Sequence, residues 1–497
     1  MKWLWATNGP PRAARLAGVW KAGLVLAGVA LVAVALALGK GTGRGFGWGA
    51  GGLDRKVPLP VALDWAAMDP LVGGHLEDLW RGAVEVRGDA VRRSELGLAL
   101  AVNGLWAEAR QCFVEAIRLG EKGPLPGLYG AVALSEAGDL EGAVVELEQV
   151  LTRHPEHAPS WHRLGRLRMG LGDEAGAEEA FAKVTALAPE AWHGWAGLGD
   201  ARLRAGRVEE AIEVLERAIA LDPYARSARH RLGQAYQRAG RAEAAGLELT
   251  AGMAATLTPM PDEWSLAALG HMKALPDQFE AADTLMAQGR TGEAVRQLRG
   301  VYQVHPDNAA VAARLGLALV ADGQAEAAWN LLMAALAGRP GEVGLLMAAS
   351  RVAVERGMTD RGLALAQEAV LRAPRLAEAH VAVANAWIGR EDDAEAVAAL
   401  ERAIELAPGS VELRLQLGDV LRFNLGRVEE AQGQYRRAWE RDPIHPVALE
   451  RLASVEIERG NWEGAMGRVR ALERLGIDRE AVAALKAELA AARGDPK

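Results

Sequence analysis

The chain is 497 residues long and has one cysteine, Cys112. An intrachain disulfide is excluded. So are C-x-x-C and C-x-x-C-H sites, and with them cysteine-based zinc sites and attached haem. Aromatic residues are only 5% of the chain, too few for one large aromatic core. No P-loop, G-x-S-x-G or H-E-x-x-H is present. Positive charge is not in excess: the formal net charge is −8, which argues against a nucleic-acid-binding stripe. Ten histidines are scattered, mostly at junctions such as "RHPEH" and "VHPDN", where surface or capping roles are expected. No catalytic residue, cofactor, metal site or small-molecule substrate is expected, and the chain reads as a non-enzyme.

What the chain does have is glycine (57 residues), an apolar half, and a period. "WAGLGDARLRAGRVEEAIEVLERAIALDP" follows "WHRLGRLRMGLGDEAGAEEAFAKVTALAP". Trp161 to Trp195 is 34 residues, as is Pro189 to Pro223. Within the second stretch, Leu198 and Gly199 fall one helical turn after Trp195, on the same face. Gly199, Ala211 and Ala218 are small enough to let two antiparallel helices approach closely. Trp195, Leu198 and Leu215 fill the space between them. Gly206 suits a turn at positive φ, and Pro223 stops the second helix. Recurrent "RVEEA" marks the solvated start of a second helix. One such pair cannot bury its apolar face alone, so neighbours must stack.

This pattern resembles the tetratricopeptide repeat: an aromatic residue, Leu-Gly three residues on, then Tyr, Ala, Phe, Ala and Pro at fixed offsets. About eleven units can be laid from residue 90 to residue 479. Clear examples are Leu96, Gly97, Ala109, Phe113 and Ala116; Trp161, Leu164, Gly165, Ala177, Phe181 and Pro189; Leu315, Gly316, Ala328 and Pro340; and Leu417, Gly418, Ala431, Tyr435, Ala438 and Pro443. The eighth unit departs at Ser350 and Gly362, and the tenth carries one extra residue near "RFNLG". The resemblance implies an all-α, right-handed α-solenoid of helix-turn-helix units. Cys112, between Ala109 and Phe113, should be a buried thiol.

The phase predicts a first array over 69–259, a connecting insert over 260–274, a second array over 275–479 and a capping helix over 480–497, with Asp478 as its N-cap. The insert, "MPDEWSLAALGHMKA", reads as a short helix joining five repeats to six; one continuous superhelix with a local insert is the alternative. Upstream, 1–21 is a short basic segment and 39–68 a Gly-rich tether and linker. Residues 22–38, "AGLVLAGVALVAVALAL", would span roughly 25 Å as a helix. This fits a single transmembrane helix in a lipid bilayer, with Lys21 and Lys40 snorkelling. A signal peptide cleaved near "ALA" at 35–37 is the alternative. Lys2, Arg12, Arg15 and Lys21 precede the span and only Lys40 and Arg44 follow closely. This bias places the N-terminus in the cytoplasm and the repeats outside it.

The resemblance further implies that the first helix of each repeat lines a concave groove. Its groove positions give a basic set in the third to fifth repeats: His162, Arg163, Arg166, His193, Arg204, His230, Arg231, Gln234 and Arg238, with Asp200 the one acid. In the seventh to ninth repeats they give an apolar set, Leu317, Val320, Met347, Val354, Val381 and Ile388, with Arg351 and Asn385 among them. The expected function is a membrane-anchored scaffold that binds a protein or peptide partner and organises an envelope complex. An accessory subunit of a glycan-modifying or glycosyltransferase enzyme, or a secreted binding protein, is the alternative.

Overall fold

The computed structural model describes residues 59–493, apart from 61, 62, 254, 256, 257, 477 and 478. The apolar span 22–38, most of the tether and Asp478 lie outside the described residues. Among those described there are twenty-five α-helices and no strand, and no helix is long and apolar enough to cross a membrane.

The chain divides into two compact units, with the boundary between Asp277 and Gln278. In the first, α1 (Pro70–Glu85) precedes five helix pairs: α2 (Ala90–Val102) with α3 (Trp106–Arg118), α4 (Leu125–Glu136) with α5 (Leu140–Arg153), α6 (Ala158–Leu171) with α7 (Glu174–Leu187), α8 (Trp192–Arg204) with α9 (Val208–Leu221), and α10 (Arg226–Arg238) with α11 (Ala242–Ala251). A short helix, α12 (Glu263–His271), follows. The second unit is entered through α13 (Leu275–Ala287), which pairs in phase with α14 (Thr291–Val304). Then come α15 (Ala309–Ala321) with α16 (Ala325–Gly338), α17 (Val343–Glu355) with α18 (Thr359–Arg372), α19 (Ala377–Gly389) with α20 (Asp393–Leu406), α21 (Val411–Asp419) with α22 (Val428–Arg441), and α23 (Pro446–Glu458) with α24 (Trp462–Arg474). Helix α25 (Arg479–Arg493) closes the order and buries Val482, Leu485 and Leu489. Eleven pairs account for the eleven periods read from the sequence.

Small residues set the spacing within each pair. Ala177, Ala211 and Ala218 are fully buried. A Cβ added at Gly165 would stand 2.8 Å from Phe181, and one at Gly316 would stand 2.8 Å from Leu332. At Gly199 it would strike Leu215, itself fully buried. Gly199→Leu is therefore expected to overpack the α8–α9 contact and cost about 1–3 kcal/mol. Because coupling is nearest-neighbour, the loosening should extend to the adjoining pairs. Thermal unfolding followed by circular dichroism checks this, and an unchanged curve would contradict the close approach.

The turn within the pair at Gly206 has φ 80°, which only glycine adopts freely. In the ninth repeat Glu391 takes the equivalent role at φ 66°. The extra residue of the tenth repeat is absorbed by a π-helical turn over Val420–Asn424 at the end of α21. There the Leu425 N–H donates to the Val420 carbonyl at 3.2 Å, five residues back. A wider turn inserts one residue without moving the rest of the pair out of phase.

The tryptophans do more than fill space. Trp161 and Trp195 each donate Nε1–H to the carbonyl of the proline six residues earlier, Pro155 and Pro189, at 2.8 Å. Arg229 on Pro223 (2.7 Å) and Arg414 on Pro408 (2.9 Å) repeat the arrangement in other units. In these four repeats a side-chain donor thus satisfies a carbonyl that the proline turn leaves without a helical partner. Cys112 is buried, and burial pushes its thiol up to about 12.

Candidate partner-binding grooves

In the second unit the first helices α15, α17 and α19 contact one another in sequence. A cavity of about 470 Å³ opens along them and continues to α21. Leu317, Met347, Val354 and Val381 line it together with Arg351 and Asn385. Val320 and Ile388 stand outside this lining. Val320 packs against the core around Leu315 and Leu319, and Ile388 against that around Ala384 and Leu400. Gln416 enters from α21, where its amide donates to the Asn385 side chain at 2.7 Å. An apolar floor with one exposed guanidinium and one amide pair suits a hydrophobic side chain flanked by polar backbone. Gln416, Ala382 and Glu378 were not read from the sequence, although Gln416 occupies a groove position of the tenth repeat.

The first unit differs from its sequence reading. His162 and His193 are buried, at 6% and 8% exposure, and face each other edge to face at 5.8 Å. His162 also meets Phe181 edge-on, and His193 stacks on Trp192. Burial pulls His193 down to about 4 and His162 well below its ordinary value, where His193, Arg166 and Arg163 add to the effect. Both are neutral rings at pH 7 and contribute shape rather than positive charge. His157 and His271 are buried as well, so the histidines are not all surface residues.

The arginines are largely engaged within the array. Asp200 is shared by Arg204 at 3.6 Å and Arg231 at 3.2 Å. Arg238 donates to the Leu203 carbonyl at the end of α8 at 2.6 Å. Gln234 bonds to both Arg231 and His230 at 3.0 Å. Arg163 lies in the field of Glu136 and of Asp262, the N-cap of α12. Among the described residues no group of His, Cys, Asp and Glu is placed to hold a metal ion.

Helix α12 is the larger departure. It is a helix, as the insert reads, but it packs against α2, more than 160 residues earlier in the chain. Its contacts fall on the leading helices of the array. The Trp264 ring stands 5.3 Å from Tyr129 on α4 and 5.8 Å from Phe113 on α3. The Tyr129 hydroxyl donates to Asp262 at 3.2 Å. His75 on α1 and His271 share a hydrogen bond at 3.0 Å. Asn103, at the end of α2, donates to the His271 carbonyl at 2.9 Å. Burial, with Lys273 and His271, holds His75 down to about 4, so the imidazole pair is neutral at pH 7.

Family profiles described as tetratricopeptide repeat match residues 130–191, 162–226 and 347–411 and residues 202–268, 285–349 and 422–489. No protein of curated function matches the chain. Among solved structures it is similar to yeast Tom70, at 13% identity over 81% of this chain and 96% of that one, TM-score 0.39. It is similar to MamA from Desulfovibrio magneticus RS-1, at 25% identity over 33% of this chain and 93% of that one, TM-score 0.31. A thermophilic repeat protein of Thermus thermophilus is 23% identical over 37% of this chain and 99% of that one, TM-score 0.31. With a 34-residue period that folds as eleven helix pairs, and with profile matches over more than half its length, the chain belongs to the tetratricopeptide repeat family, whose repeats indicate a protein-interaction scaffold.

Proposed function

We propose that the chain is a membrane-anchored scaffold that binds a protein partner through the groove of its second unit and organises an envelope-associated complex. The cavity of about 470 Å³ lined by Leu317, Met347, Val354 and Val381 carries the reading. It is apolar, lies on successive first helices, and offers Arg351 and Asn385 to fix the direction of a bound segment. The span over 22–38 supports anchoring in a bilayer, and the charge bias around it supports a cytoplasmic N-terminus with the repeats outside.

The test uses the full-length chain in membranes. It should resist extraction at high salt and alkaline pH, and a reporter fused to its C-terminus should be active only outside the cytoplasm. After detergent solubilisation, Met347→Asp with Val381→Asp should reduce recovery of the co-purifying partner at least tenfold. Leu371→Asp, at an exposed position of α18, should leave recovery unchanged. Salt should barely affect the wild-type interaction, since apolar burial drives it. Extraction by salt would remove the anchor from the proposal. Equal recovery by the groove variant would remove the site.

A further inference from the structure

A solvated connector needs no side-chain contacts with the array it leaves, yet α12 is held at both ends. At its start, the Asp262 carboxylate accepts from the Trp264 and Ser265 amides at 2.9 Å, and Ser265 returns a bond to the Asp262 N–H at 2.8 Å. The same carboxylate takes the Tyr129 hydroxyl at 3.2 Å. Glu263 stands 3.5 Å from the His157 ring at the start of α6. At its end, Asn103 closes the His271 carbonyl. Beside the N-cap, Trp264, the second residue of the helix, packs with the core clusters of both the first and the second repeat. The rest of the helix is lightly engaged: Leu269 is 59% exposed. Contact is therefore concentrated in a few anchors, as when a short helical peptide sits in a receptor groove.

We infer that the face formed by Tyr129, Phe113, Asn103, His75 and His157 is a second binding groove, specific for a helical segment with an acidic N-cap and a tryptophan two residues later. In the free chain, residues 262–271 occupy it. A partner segment of the same chemistry enters when α12 leaves. The neighbouring residues suit an acidic entrant, because Arg163 already lies in the field of Asp262. Tethering gives α12 a high effective concentration, so the self-contact can be weak in itself and still hold the groove closed. This goes beyond the partner reading for the second unit and involves none of its residues.

The probe is a fluorescein-labelled peptide of residues 259–272, PMPDEWSLAALGHM, titrated into the full-length protein in detergent and read by anisotropy. In Asp262→Lys with Trp264→Ala the internal segment loses its two main anchors. That variant should bind the peptide at least tenfold more tightly than the wild type does. A peptide carrying the same two changes should bind neither protein. Equal binding by wild type and variant, or none to a variant whose circular dichroism is native, would overturn the inference. Hydrogen exchange on the wild type supplies a second reading that needs no substitution. Amides of 263–271 should exchange at least tenfold faster than those of 125–136, because the helix leaves while the repeats stay folded. Equal protection would make α12 a fixed part of the core and overturn the inference.

Discussion

Tyr435→Ala is expected to destabilise the second unit by about 3–5 kcal/mol, while Tyr435→Phe costs only about 1 kcal/mol. Tyr435 is fully buried on α22, directly beneath Gly418 of α21. It is the largest side chain of the tenth repeat core, so truncation leaves a cavity between two helices that the small Gly418 already lets approach closely. Its hydroxyl donates to Asp419 at 2.7 Å. Asp419 also receives Arg451 from α23, at 2.8 and 3.2 Å. The phenylalanine variant keeps the packing and the Asp419–Arg451 pair, and loses only the hydroxyl bond. Burial and the Asp419 charge raise the Tyr435 hydroxyl far above its ordinary value, so it is a protonated donor at pH 7. Urea unfolding of the full chain with both variants checks the order. Equal losses would mean that the polar bond, and not the packing, holds this repeat.

The Arg93–Glu115 pair has a comparable effect at the other end of the chain. Arg93 on α2 is 1% exposed and is paired with Glu115 on α3. Glu115→Ala removes the carboxylate paired with a buried guanidinium and is expected to cost about 3–5 kcal/mol. Arg93→Met with Glu115→Leu should recover most of that loss, because neither charge then needs a partner. The comparison of three melting curves decides it. If the double variant is as unstable as the single one, the arginine acts through its packing and the charge is incidental. Both tests read local stability, since stacked repeats can unfold in sections.

How far these features could be read from residues alone depends on the range of the contacts. Helix pairing is written within 34 residues, in Gly165 against Phe181 or Gly199 against Leu215, so the eleven units were legible. The extra residue near "RFNLG" was legible as a break in phase, and the π-helical turn is its physical resolution. The apolar groove was legible because apolar residues fall at several groove positions of the first helices: Met347 and Val381 stand one period apart, as do Val320, Val354 and Ile388, although Val320 and Ile388 lie outside the cavity lining.

Docking of α12 was not legible. His271 meets His75 and Asn103 across 196 and 168 residues, and nothing in the local pattern of "MPDEWSLAALGHMKA" encodes which face receives it. Tyr129 offered the one hint, an aromatic side chain on a first helix with no counterpart in the neighbouring repeats. His162 and His193 were misjudged as cationic contacts because repeat position gives a direction but not a depth. Phe181 and Trp192 draw both rings into the packed layer and away from water.

The second unit is proposed to hold its partner in the groove of its first helices. A photo-crosslinking amino acid at Met347 of the full-length chain, compared with one at Leu371, tests it directly. Met347 lines the cavity, whereas Leu371 is 76% exposed on the second helix of the same repeat. Illumination in native membranes should give one discrete protein adduct from position 347 and none from 371. That adduct should disappear when Val381→Asp is added. An adduct from 371 with none from 347 would place the partner on the other face and rule out binding in the groove.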